Sequence, residues 1–182
     1  HMNRLVEDVF DLSKIEYGEY KIINKSFDLD KLIKNVEHVY LEKFILKNIE
    51  FNIVKASNVP TKLIGDYNRA AQIFINLLDN AAKYSPPPAE ILVQITQASE
   101  EVSITIQDKG IGIPAADLEH IFERFYTVDK AHSRRLGGAG LGLSIVKTII
   151  ENHHGVISVK SEMGVGTTFT ILLPKLKRIL PV

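Results

Sequence analysis

The sequence predicts a two-layer α+β sandwich, helices packed on one face of a sheet, and three observations carry that expectation. Residues 66–84 and 144–150 place apolar side chains three and four positions apart, the spacing of one helix face. Residues 90–97 with 101–107, and 156–160 with 167–173, form two alternating pairs joined by short polar or glycine turns, each able to close as an antiparallel pair. Regular strand–helix–strand alternation, the mark of an all-parallel sheet, is missing.

In chain order, residues 3–17 carry Leu5, Val6, Val9, Phe10, Leu12 and Ile15, an amphipathic helix whose positions 5, 9 and 12 make a heptad-like seam. Such a helix either packs on its own domain or is the cut end of a coiled coil; the seam spacing favours the coiled coil. After Gly18, residues 21–27 read as a strand, and Asp28 is the N-cap of a helix to about Lys47. Residues 49–54 and 62–65 read as short strands around a loop at Val59-Pro60. Asp66 caps the next helix, which Pro86-Pro87-Pro88 stops after Tyr84. The last helix ends at His153-His154-Gly155, read as cations in the final turn followed by a C-cap glycine.

Bulk properties narrow the class. The chain has 182 residues, 45% hydrophobic and 24% charged, enough for one well-packed domain with a short appendage. A formal net charge of +0 gives no broad basic footprint, so a nucleic-acid partner is not expected. There is no cysteine, hence no disulfide and no thiolate metal site. No apolar run approaches the ~18 residues of a membrane span. His1-Met2 reads as a tag scar, so a fragment of a longer protein is expected.

Chemistry concentrates in four places. The first is Gly137-Gly138-Ala139-Gly140-Leu141-Gly142, four glycines in six positions ahead of the last helix. Bare backbone N–H groups at a helix N-terminus suit an anion, most often a phosphate; the competing reading is a flexible loop before a core helix. Neither GxxxxGK[ST] nor GxGxxG is present. The second place is the helix from 66 to 84. Beside its core stripe of Ala70, Ile73, Phe74, Leu77, Leu78 and Ala81 run Asn76, Asn80 and Lys83. Amide oxygens can ligate a hard cation and a lysine adds charge, although satisfied border asparagines would look the same.

The third is Asp108. Val102, Ile104 and Ile106 share the core face of their strand, and alternation puts Asp108 on that face too. A carboxylate there needs donors or a shifted pKa. It opens into Gly110-Ile111-Gly112-Ile113-Pro114, whose glycines let a ligand approach the backbone. Recognition of an exocyclic amine fits; so does an ordinary turn aspartate. The fourth is the basic, aromatic run Phe122-Glu123-Arg124-Phe125-Tyr126 through Ser133-Arg134-Arg135, a candidate lid.

Together the four occur in one order, with Asn76-Leu-Leu-Asp-Asn80-Ala-Ala-Lys83-Tyr84-Ser, Asp108-Lys-Gly-Ile-Gly-Ile-Pro, Phe122-Glu-Arg-Phe-Tyr126 and Gly138-Ala-Gly-Leu-Gly142. They closely resemble the N, G1, F and G2 boxes of the ATP-binding domain of sensor histidine kinases, over residues 20 to 175 or so. The resemblance implies a Bergerat-type fold, a mixed sheet covered by three helices, holding Mg-ATP (or ADP) between the helical layer and a lid. It implies that Asp108 accepts from the adenine amino group while Gly110 and Gly112 shape the base pocket. Asn80, with Asn76 assisting, would ligate the phosphate-bound Mg²⁺. Lys83 would reach the phosphates, Tyr84 would lie near the base, and the backbone from Gly138 through Gly140, Leu141 and Gly142 would hold phosphate oxygens. Arg134 or Arg135 would neutralise the γ-phosphate. Ala139 departs from the threonine of many relatives.

Implied domains are 1–18, the tag scar and the end of a second dimerisation helix; 19–176, the catalytic domain; and 177–182, a tail. The implied reaction is γ-phosphate transfer to a histidine on a dimerisation helix domain. None of the six histidines sits in a His-Glu/Asp motif, so that acceptor is expected elsewhere. Related ATP-hydrolysing clamps carry a glutamate base four residues before the metal asparagine, where this chain has Asn76. Such a hydrolase, or a non-catalytic nucleotide-sensing module, is the alternative. Implied partners are the phosphoacceptor domain of the same protein and a response regulator. Implied surroundings are the cytoplasmic side of a bacterial plasma membrane, with the full-length protein an anchored homodimer.

Overall fold

A computed structural model describes residues 9–10, 13–14, 23–128 and 139–174. Most of the expected helix at 3–17 lies outside the described residues, as do Arg134, Arg135, Gly137 and Gly138. In chain order the elements are β1 (Lys25–Asp28), α1 (Leu29–Leu46), β2 (Ile49–Lys55), β3 (Lys62–Gly65), α2 (Tyr67–Tyr84), β4 (Ala89–Ala98), β5 (Glu101–Asp108), a 3₁₀ turn at Ala115–Asp117, α3 (Gly142–Asn152), β6 (Val156–Glu162) and β7 (Gly166–Pro174).

Both aspartate caps act as the sequence predicts. Asp28 accepts from the Lys31 N–H at 2.9 Å, and Asp66 from Asn68 and Arg69 at 3.0 and 3.2 Å, supplying acceptors for donors that a first helical turn leaves open. Asp66 does more. Its Oδ2 accepts from the Ile23 N–H at 3.2 Å, and its own N–H donates to Nε2 of His153 at 3.0 Å. One residue thus joins the incoming chain, the start of α2 and the end of α3.

The strands divide into two sheets. Five lie in the order β2-β4-β5-β7-β6, with β2 and β4 parallel and the other pairs antiparallel. β1 and β3 form a separate antiparallel ribbon. β2 and β3 are consecutive in the chain yet do not pair. The crossover from β2 to β4 through α2 returns the chain to the same sheet, which makes it mixed.

Side-chain periodicity decides which face is covered. Along β5 only Val102, Ile104, Ile106 and Asp108 are buried, every second residue. They meet the stripes of the helices: Leu29, Leu32, Val36, Tyr40 and Phe44 of α1; Ile73, Phe74, Leu77, Leu78 and Ala81 of α2; Ile145, Val146, Ile149 and Ile150 of α3. Each fully buried aliphatic side chain contributes about 1.5–3 kcal/mol, so this layer rather than helix propensity holds the fold.

The end of α3 corrects the sequence reading. His153 is not a solvated cation at a helix end. It is buried, its Nδ1 donates to the Ile149 carbonyl at 2.8 Å, and its Nε2 accepts from Asp66, a bonding pattern that specifies the neutral Nδ1–H tautomer. Nor is Gly155 the left-handed cap. That conformation belongs to His154, at φ 58°. Gly155 is small for another reason: a Cβ there would stand 2.5 Å from the Leu172 carbonyl oxygen. A side chain in the left-handed region is strained, and His154 is exposed, its backbone N–H donating to the Glu151 carbonyl at 2.9 Å as a glycine's would and its ring making no hydrogen bond among the described contacts. His154→Gly should therefore stabilise the protein by about 0.5–1 kcal/mol, raising the melting temperature by roughly 1–4 °C. Calorimetry reads this directly, and an unchanged or lower Tm would show that the strain is absorbed elsewhere.

Candidate nucleotide site

Alternation carries Asp108 to the core face at the very end of β5, and the structure keeps it there, only 8% exposed. Its Oδ1 accepts from the Gly110 N–H at 2.9 Å and the Thr167 N–H at 3.3 Å. Burial raises its pKa above the ordinary aspartate range, and those two backbone hydrogen bonds pull the other way. The carboxylate is thus anchored through one oxygen, leaving lone pairs for something else.

The loop after Asp108 is clamped from two sides. Ile111 donates to the Tyr84 carbonyl at 3.0 Å, tying it to the last turn of α2; Gly164 donates to the Ile111 carbonyl at 2.9 Å, tying it to the β6–β7 turn. Ile113 donates to Ser161 Oγ at 2.8 Å. Glycine is required at Gly112, where φ is 75° and a Cβ would fall 2.1 Å from the Glu162 carbonyl oxygen. At Gly110 the reason is space alone. A Cβ would meet the Tyr84 carbonyl oxygen at 2.5 Å, Asp108 Oδ1 at 2.7 Å and Ser85 Oγ at 2.9 Å.

Asn76, two helical turns before Tyr84, points at the other half of the site. It is 3% exposed, and its Oδ1 lies 3.2 Å from where a Cβ on Gly142 would stand. The amide of α2 and the first residue of α3 are therefore in close approach. Asn80 and Lys83 follow on the same flank, half-buried, with Lys83 Nζ 5.0 Å from the centre of the half-buried Tyr84 ring. α3 starts without a side-chain cap; its N-cap residue is Leu141, itself buried. Ser144 Oγ turns away from the helix mouth and donates to the Leu141 carbonyl at 2.8 Å.

The aromatic run begins a surface segment that returns to this helix. Phe122 packs edge-on against Phe169, centroids 6.3 Å apart. Phe125 is exposed and left-handed, φ 60°, and its N–H donates to the Gly140 carbonyl at 2.9 Å. Gly140 is left-handed as well, φ 73°, and pressed against the Phe125 and Tyr126 backbone. Tyr126 hydroxyl donates to Asp117, which raises the tyrosine pKa; His120 pairs with Glu123 at 2.7 Å, which raises the histidine pKa.

The structure brings Asn76, Tyr84, Asp108, Gly110, Gly140 and Gly142 around one end of the helical layer, with Asn80, Lys83, Gly112 and Leu141 beside them. Arg134, Arg135 and Gly138 fall outside the described residues. Two contributors escaped the sequence reading. Thr167 donates to Asp108 and is paired with it in register across β5 and β7; its alternation with buried Phe169 and Ile171 was the available signal. Ser85, buried against Gly110, follows Tyr84 with no pattern to mark it. A cavity of about 290 Å³, lined among others by Phe27, Leu63, Val102 and Pro174, opens at the start of β5. It lies roughly 20 Å along the strand from Asp108 and is not part of this arrangement.

Comparison with known proteins places this geometry. Residues 65–177 match the family model described as histidine kinase-, DNA gyrase B-, and HSP90-like ATPase. The circadian input-output histidine kinase CikA of Synechococcus elongatus is 33% identical over 183 residues, covering 100% of this chain and 24% of that protein. The catalytic domain of histidine kinase ThkA superposes with a TM-score of 0.72 at 29% identity, covering 84% of this chain and 96% of that one. ThkA is also matched in a complex with the response regulator protein TrrA. Full-length ShkA in complex with AMPPNP superposes with a TM-score of 0.84 at 26% identity, covering 100% of this chain and 37% of that one. The chain thus spans about a quarter of the curated relative's length. A five-stranded mixed sheet under three helices, with the buried aspartate at a strand end and the glycine-bounded helix facing an asparagine, belongs to the histidine kinase-, DNA gyrase B- and HSP90-like ATPase family, and this chain is a member of it.

Proposed function

We propose that the chain binds Mg-ATP and passes its γ-phosphoryl group to a histidine on a dimerisation helix domain, as the catalytic domain of a two-component sensor histidine kinase. The observation that carries this is Asp108. A buried carboxylate held through one oxygen by two backbone N–H groups has its remaining lone pairs free to accept from a base amine. Gly110, Gly112 and Tyr84 form the surroundings of the base. At the other end, backbone N–H groups of Gly140, Leu141 and Gly142, joined by Gly138, cradle phosphate oxygens at an uncapped helix start. The ShkA complex with AMPPNP supports an adenine nucleotide here.

The donor set fits Mg²⁺. Asn80 and Asn76 offer neutral amide oxygens, hard ligands that leave most of the coordination shell to phosphates and water. Bound there, the metal would neutralise phosphate charge. The protein's own part is positioning: Lys83 reaches the phosphates, and Arg134 or Arg135 approaches the γ-phosphate from the lid. Asn76 stands where a hydrolase of this family needs a carboxylate base, and an amide cannot take a proton from water. Transfer to an acceptor is favoured over hydrolysis.

The same reading assigns residues 1–18 to a tag scar and a dimerisation helix, 19–176 to the catalytic domain and 177–182 to a tail. It takes the phosphoacceptor domain of the same protein and a response regulator as partners, the latter supported by the ThkA complex with TrrA. No helix among the described residues is long and apolar enough to cross a membrane, and a cytoplasmic position under an anchored homodimer is part of the proposal.

The test uses labelled ATP and Mg²⁺, with and without a separately supplied dimerisation-helix domain. Label on the acceptor histidine is the expected result. Rapid phosphate release without an acceptor would replace the kinase by a hydrolase, and absence of ATP binding would leave a non-catalytic module.

A further inference from the structure

Ser85 is the C-cap residue of α2, extended at φ −109° and ψ 101°. It is 3% exposed, and its Oγ has no hydrogen-bond partner among the described residues. Buried hydroxyls are almost always satisfied, because desolvation without a partner is unfavourable. An exception calls for a reason.

Its surroundings supply one. The point that a Cβ on Gly110 would occupy is 2.9 Å from Ser85 Oγ, 2.7 Å from Asp108 Oδ1 and 2.5 Å from the Tyr84 carbonyl oxygen. Three oxygens therefore crowd one glycine, and the serine hydroxyl alone among them carries a proton to donate. The Tyr84 carbonyl already accepts from Ile111, and Asp108 Oδ1 from Gly110 and Thr167. Ser85 Oγ and Asp108 Oδ1 flank the same point at 2.9 and 2.7 Å, which places them no more than about 5.6 Å apart, a separation that one bridging water spans and that a small shift of either side chain can close.

We propose that Ser85 is a positioning residue for Asp108: in the nucleotide-bound site its hydroxyl donates to the Asp108 carboxylate, directly or through one buried water, and holds the other carboxylate lone pairs toward the amino group of the base. A hydrogen bond to the ionised form favours that form and restricts its rotation. In this role Ser85 sharpens discrimination between purines that carry an exocyclic amine and those that do not. The inference rests on Asp108 being the base acceptor.

The experiment compares wild type with Ser85→Ala, titrating each calorimetrically with ATP and with purine riboside triphosphate, which lacks the 6-amino group. Expected for Ser85→Ala is a five- to tenfold weaker affinity for ATP, an affinity for purine riboside triphosphate within twofold of wild type, and a Tm that does not fall. A hydroxyl that merely fills space would give equal changes for the two nucleotides. Wild-type discrimination together with an alanine variant indistinguishable from it, or weakened equally for both ligands, would overturn the role of Ser85 alone. A wild-type protein that fails to prefer ATP would overturn the base-acceptor reading, and this proposal with it.

Discussion

Asp108→Asn is expected to weaken ATP binding by about a hundredfold or more while leaving the fold intact. A hydrogen bond to a charged acceptor is worth about 1.5–3 kcal/mol, and each 1.4 kcal/mol is tenfold in affinity. The substitution also offers an N–H₂ where the base presents its own, so the loss exceeds that of one bond. The fold survives because an asparagine Oδ1 still accepts from Gly110 and Thr167. Stability should even improve near neutral pH. Burial raises the pKa of Asp108 in the folded state, so between the model-peptide value of 3.8 and the raised one the folded protein binds more protons than the unfolded chain. Stability in that window falls as pH rises, and above it the full penalty of an ionised buried carboxylate applies. Asparagine removes the penalty. Isothermal titration with ATP, and melting curves from acid to neutral pH, test both halves; unchanged ATP affinity would mean that the base sits elsewhere.

Gly140→Ala should cut phosphotransfer by ten- to a hundredfold and lower the melting temperature by roughly 2–8 °C. A left-handed alanine is disfavoured by about 1–2 kcal/mol, and here its Cβ would also stand 2.7 Å from the Phe125 carbonyl carbon and 2.8 Å from the Tyr126 carbonyl oxygen. Those atoms are backbone and cannot rotate aside. The hydrogen bond from Phe125 to the Gly140 carbonyl must then open, and with it the alignment of the approach to α3. Gly140 stands between Ala139 and buried Leu141, both packed in the hydrophobic layer, so part of the strain reaches stability, while the larger effect falls on transfer. Rates measured with a supplied acceptor domain, beside ATP affinity and Tm, separate the outcomes. Normal transfer would show that this junction does not order the phosphate end.

Much of this was legible in residue order, for a physical reason in each case. An aspartate before an apolar stripe announces a helix start, and both Asp28 and Asp66 cap as expected. Strict alternation along β5 fixes the face of Asp108, since a side chain in a strand has two directions to choose from. Non-local pairing was not legible. Nothing in residues 49–55 says that they lie parallel to β4 instead of pairing with β3, because register across a long connection depends on packing of the whole layer. Residue order does not show that His153 is buried while His154 stays exposed, because composition does not separate a buried ring from a solvated one. Ser85 matters through a neighbour far away in sequence with no local period to mark it, and alternation puts Thr167 on the core face without saying that it meets Asp108.

α2 acts as a measuring rod. Its Asn76 faces Gly142, and its Tyr84 carbonyl receives the loop that follows Asp108. At 1.5 Å per residue these two points are about 12 Å apart on a rigid cylinder. In the proposed site, the spacing between the end that would read the amine and the end that would hold the phosphates is therefore set by the hydrogen-bonded helix rather than by loops. Two weak half-sites at a fixed interval are satisfied together only by a ligand whose own ends match the interval, and the second contact then forms at high effective concentration. Selection by length comes with the helix itself: one residue added between Asn76 and Tyr84 would turn one end by about 100° from the other and uncouple the halves.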